Sequence, residues 1–165
     1  MMTGIAIYSP YKTFPEQLLK RTDIPLDVRY ERGENGAPRY IIKVRAVQIT
    51  LNLMPESEIP DHLKGFCGYV RSVGRAAPKR WIEQIAAQVM RARLVIGVVF
   101  DPDDADPTLP LQVCGAVVEM TRGFGFVRGT LLDSEDRIIL SPDGTFDPKA
   151  RIDLSAPRKA WWRFW

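Results

Sequence analysis

The stretch RLVIGVVF, residues 93–100, restricts this chain more than any other. An apolar run of that length, without polar alternation, reads as a β-strand covered on both faces. Such a strand is a surface for amphipathic helices, and two precede it. From Pro60, Leu63, Phe66, Cys67 and Val70 recur at helical spacing, with Gly74 as a stop. From Pro78, Trp81, Ile82, Ile85 and Val89 form an apolar stripe, while Lys79, Arg80, Glu83 and Gln84 stay outside. A third helix is expected over LPLQVCGAVVEMTRG, with Thr108 as its N-cap, Leu109, Val113, Val117 and Met120 near one face, and Gly123 at its end.

The remaining segments read mostly as strands. TGIAIY (3–8) is β-branched and bounded by turn residues, and FPEQLLKR is a short helix with Phe14, Leu18 and Leu19 on one side. DVRYER is a strand, and GENGAP closes a hairpin onto RYIIKVRAVQITLNLMP. In that last segment Ile42 and Val44 share one phase and Val47, Ile49, Leu51 and Leu53 another. The change at Arg45 and Ala46 predicts two strands or one bulged strand. FGFVRGTLLD and DRIILS read as one hairpin turning at Ser134 and Glu135.

Together these predict an α+β domain over residues 1–150: a single mixed or mainly antiparallel sheet with three to four helices packed on it, followed by a basic aromatic tail, 151–165. A chain of 165 residues, 45% hydrophobic and 26% charged, suits one core. No apolar run approaches the roughly 18 residues of a membrane span, and MMTGIAIYSPYK does not read as a secretory leader, so a cytoplasmic protein is expected. Cys67 and Cys114 form no CxxC pair and read as small core residues.

Residues Arg122 to Gly129, RGFGFVRG, resemble the RNP1 element of the RNA-recognition motif. The resemblance implies stacking of bases on Phe124 and Phe126, with Arg122 and Arg128 supplying charge; it covers eight residues, and Gly129 stands where a further ring belongs. The alternative is a helix-terminating glycine followed by a strand whose Phe124, Phe126 and Val127 fill the core.

The acidic loop DPDDADP, 101–107, follows the apolar strand. Its Asp101 and Asp103 resemble the nucleophile and acid of haloacid-dehalogenase phosphotransferases, which implies a metal-dependent phosphotransferase or hydrolase. An EF-hand is excluded, since Asp106 and Gln112 stand where Gly and Glu are required. Asp103, Asp104 and Asp106 also suit the N-terminus of the following helix. His62, the chain's one histidine, and Cys67 point about 140° apart on one helix, which prevents a thiol–imidazole pair. His62 is expected to be exposed in the first turn. No GxSxG, HExxH or GxxxxGK[ST] occurs.

The last eight residues, RKAWWRFW, hold four aromatics and three cations, a mixture typical of interface hot spots. The net charge of +3 conceals this basic end and the acidic loop. Charges of that kind act over about a Debye length, roughly 8 Å in physiological salt. In texture the chain resembles compact bacterial immunity proteins that neutralise a partner toxin. The sequence thus points to a non-catalytic protein-binding domain without a cofactor. Its expected contacts are Trp161, Trp162, Arg163 and Trp165, with Asp103, Asp104 and Asp106 as electrostatic guides. Nucleic acid is the alternative partner, and a homodimer is compatible with the sequence.

Overall fold

The structure, a computed structural model, describes residues 4–19, 26–102 and 106–152. Its strands form one antiparallel sheet, consistent with an α+β fold. The chain runs β1 (Ile5–Ser9), α1 (Glu16–Leu19), β2 (Asp27–Arg32), β3 (Pro38–Val44), β4 (Val47–Leu53), α2 (Ile59–Val73), α3 (Lys79–Val89), β5 (Leu94–Asp101), α4 (Thr108–Thr121), β6 (Phe124–Val127), β7 (Thr130–Leu132) and β8 (Ile138–Leu140). The order across the sheet is β2-β3-β4-β5-β1-β6-β7-β8. The first strand therefore lies between β5 and β6. Because β1 is antiparallel to both, β5 and β6 run parallel to each other, and α4 carries the chain across β1.

The alternating phases of β1 and β5 divide the interior into two layers. Ile5, Ile7, Leu94, Ile96 and Val98 pack with Val113 and Val117 of α4. Tyr8 and Val95 turn to the opposite face, beneath Phe66 and Val70 of α2 and Ile82 and Val89 of α3. The apolar run at 93–100 is thus covered on both faces along its first half. Farther on, Val99 is 59% exposed.

Several expected elements form with small differences. The phase change at Arg45 and Ala46 is a tight turn between β3 and β4, with Arg45 at φ 55°. A hydrogen-bonded GENGAP turn joins β2 to β3, with Gly33 N–H donating to Ala37 O at 2.8 Å. The single hairpin expected over FGFVRGTLLD and DRIILS is two hairpins. Arg128 and Gly129, at φ 49° and 93°, make a two-residue turn between β6 and β7, so the strand of RGFGFVRG ends at Val127. The second reversal is organised by Asp133, 3% exposed. Its carboxylate accepts hydrogen bonds from the backbone amides of Glu135, Arg137 and Arg151 and from Arg137 Nε, each at 2.9 Å.

The end of α4 brings two backbones together. Arg122 closes the helix in a left-handed conformation, and a Cβ at Gly123 would stand 1.9 Å from the carbonyl oxygen of Tyr8. Only glycine permits that approach of α4 to the end of β1.

Candidate interaction surface

Residues directly opposite in an antiparallel sheet share a face, so one row of partners can be followed across all the strands. Glu31 faces Arg39, Arg39 faces Asn52, Asn52 faces Gly97, and Gly97 faces Ala6. Beyond Ala6 the row continues through Phe126, Leu131 and Leu140. Its second half is apolar because α2 and α3 lie over it. Its first half is polar, and no residue of β2, β3 or β4 joins the cluster under those helices.

The neighbouring rows define this quarter, which no described helix covers. Arg29, Ile41, Thr50 and Val99 form one, and Asp27, Lys43, Gln48 and Asp101 form the other. The opposite phase of the same strands, including Tyr40, Ile42, Ile49, Leu51 and Val98, is buried in the layer toward α4. Alternation in β3 and β4 therefore creates one core face and one open face. On the open face Lys43 and Asn52 are exposed, Thr50 and Gln48 half-buried, and Ile41 buried. Unlike charges stand opposite one another at Asp27 and Lys43 and at Glu31 and Arg39. Arg39 forms an ion pair with Glu31, which Arg29 also approaches at 3.5 Å.

The residues expected to stack RNA bases lie elsewhere, inside the protein. Phe124 is 0% and Phe126 1% exposed. Phe124 stacks on Tyr8 with ring centres 5.0 Å apart, and Phe126 meets Phe66 edge-on at 5.2 Å. Neither presents a face to a base, so the stacking role is corrected to core packing, the other reading of the sequence. Arg122 is exposed at the end of α4 and Arg128 in the β6–β7 turn. The structure does not bring them onto the open quarter of the sheet.

His62, expected in solvent, is half-buried: its Nε2 and the Tyr8 hydroxyl are 2.9 Å apart. Burial lowers its pKa. Cys67 is buried between α2 and α3, its thiol donating to Ala86 O at 3.5 Å, and burial raises its pKa. Cys114 lies in the other layer, where burial pushes its thiol up to about 12. Both are therefore thiols at neutral pH, which suits packing and not nucleophilic attack.

The N-cap of α4 is Pro107, not Thr108, and the Asp106 side chain just before it bonds to the first helical residue. Its Oδ1 accepts from Thr108 N–H at 3.0 Å and Thr108 Oγ1 at 2.7 Å, and those two bonds lower its pKa. Asp101 is exposed at the end of β5, opposite Gln48. Asp103, Asp104, Trp161, Trp162, Arg163 and Trp165 lie outside the described residues. Among the described residues, no group of three or more His, Cys, Asp or Glu side chains is placed to hold a metal ion. No described helix is long and apolar enough to cross a membrane.

Compared with known proteins, the chain matches no family model and shows no significant similarity to a curated protein or a solved structure. The arrangement of its own residues carries the functional argument.

The open face is marked in the sequence by the polar phase of β3 and β4, namely Arg39, Lys43, Gln48, Thr50 and Asn52, interleaved with the apolar core positions.

Proposed function

We propose that the protein acts by recognising a partner protein and not by catalysing a reaction, and that the uncovered quarter of the sheet is its principal contact surface. The observation that carries this reading is Val99, 59% exposed at the end of the row Arg29–Ile41–Thr50–Val99, on a part of the sheet that no described helix covers. An exposed apolar side chain on a framework of paired strands offers an anchor at little conformational cost.

Charge on the same face favours a protein over a nucleic acid. A phosphate backbone is bound through an excess of Lys and Arg. Here Arg29, Arg39 and Lys43 are matched by Asp27, Glu31 and Asp101, and two of the cations approach Glu31. A mosaic of that kind complements a protein surface that combines an apolar seat for Val99 with charges of both signs. The basic aromatic segment 158–165 and the acidic loop are proposed as further contacts, and a toxin neutralised by binding is the narrower form of the proposal.

Affinity capture from the native host tests it with three baits: the wild type, Val99→Arg, and Gln112→Arg on the outer side of α4. A specific partner held by the wild type and by Gln112→Arg but lost by Val99→Arg supports the surface. Equal capture by all three refutes it.

A further inference from the structure

The two edges of the sheet differ. At β8 the backbone is in use: Ile138 O accepts from Asp147 N–H at 2.7 Å, and Ile139 O accepts from Trp81 Nε1 at 2.8 Å. At the other end, β2 presents six residues of edge strand with no described strand beyond it. Alternate residues of such an edge turn their N–H and C=O groups away from the sheet and can pair with another chain.

We propose that β2 is a self-association edge, at which a second copy of this chain pairs antiparallel about a two-fold axis through Tyr30. Self-pairing of that kind must place residues of the same face opposite each other, so only a few registers exist. With the axis at Tyr30, Arg29 of each copy faces Glu31 of the other, giving two unlike-charge pairs. With the axis at Arg29, Arg29 meets Arg29 and Asp27 meets Glu31. With the axis at Glu31, Glu31 meets itself. With the axis at Val28, Asp27 of each copy faces Arg29 of the other, again two unlike pairs, so charge narrows the choice to the axes at Tyr30 and Val28.

Packing on the opposite face decides between these two axes in favour of Tyr30. Phe14 and Tyr40 have ring centres 4.6 Å apart, and Tyr40 and Tyr30 5.4 Å apart. The aromatic row stops at the edge with Tyr30, 47% exposed. A two-fold axis at Tyr30 brings the same ring of the second copy alongside it and continues the row through both molecules. The joined sheet sets the two open quarters side by side.

Sedimentation of the full chain over a range of concentrations, with two charge variants, tests the pairing. The wild type is expected to dimerise reversibly. Glu31→Arg places Arg against Arg across the axis, and Arg29→Glu places Glu against Glu, so each variant alone should self-associate roughly tenfold or more weakly. Mixed together they restore both unlike pairs, and a heterodimer of near wild-type strength is expected. A monomeric wild type, undiminished dimers of the single variants, or no gain on mixing would each overturn the proposal. Hydrogen exchange on the wild type removes any dependence on how the variants fold. Alternate β2 amides should become protected as concentration rises, and a dimer that leaves them unprotected contradicts the pairing.

Discussion

The hydroxyl of Tyr8 lies 2.9 Å from Nε2 of His62, joining the central strand to the first helix laid across it. The Tyr8 ring stacks between Phe66 of α2, at 4.6 Å, and Phe124 of β6, at 5.0 Å. One residue thus ties three elements together, and its polar end is satisfied by a half-buried imidazole. Removing the hydroxyl in Tyr8→Phe is expected to cost about 1–2 kcal/mol in urea unfolding, with little change in the ring packing.

The same contact makes stability depend on pH. Burial lowers the His62 pKa in the folded protein, whereas the unfolded chain titrates near the ordinary value of about 6.5. Below that value the unfolded chain binds more protons, so the contribution is fully present above about pH 6.5 and declines as pH falls through the lowered folded value. Urea midpoints measured on either side of this window should show the loss, and His62→Gln should flatten it.

Asp133 gives a second, more acidic dependence. Burial alone would raise its pKa, but bonds from the amides of Arg151, Arg137 and Glu135 and from the Arg137 guanidinium together hold it below the ordinary range. Its stabilisation is present above about pH 4 and is lost as pH falls through the lowered folded value. Asp133→Ala strips the partner from four donors around a buried carboxylate, at an expected cost of about 3–5 kcal/mol by chemical denaturation.

Phe124 and Phe126 supply a test of what the RGFGFVRG stretch does. As buried rings, either one changed to Ala should lower stability by about 3–5 kcal/mol, while Arg128→Ala in the turn leaves stability nearly unchanged. Calorimetric melting of the three variants checks this pattern. A Phe124→Ala protein that melts like the wild type would contradict the packing.

Gly123→Ala should also destabilise strongly, by about 3 kcal/mol or more, because the new Cβ would fall 1.9 Å from the Tyr8 carbonyl oxygen. A thermal shift measures the effect. The nearby Gly115, with nothing within 4 Å of an added Cβ, is the control: Gly115→Ala should be neutral or stabilising.

Local periodicity made most elements legible. Leu63, Phe66, Cys67 and Val70 specify α2 because one face of that helix supplies its core, and the phase change at Arg45 specifies the β3–β4 turn. Strand order was not legible, since the place of β1 between β5 and β6 depends on pairings between residues such as Ile5 and Val98, far apart in sequence. The role of Asp133 was hidden for the same reason: one of its partners, Arg151, is eighteen residues away. His62 was misplaced because its partner, Tyr8, comes from another element altogether. The open face was half legible. Its polar residues alternate visibly along β3 and β4, but only the fold reveals that α2 and α3 cover the other half of the sheet.

The central claim, recognition through the uncovered sheet face, is tested most directly by the methyl resonances of isotope-labelled valine and leucine as a purified partner is titrated in. The account predicts that Val99 shifts or broadens on binding while Val95 and Val113, inside the two layers, stay in place. A partner that binds and leaves Val99 unchanged while Leu111 on α4 responds would contradict it.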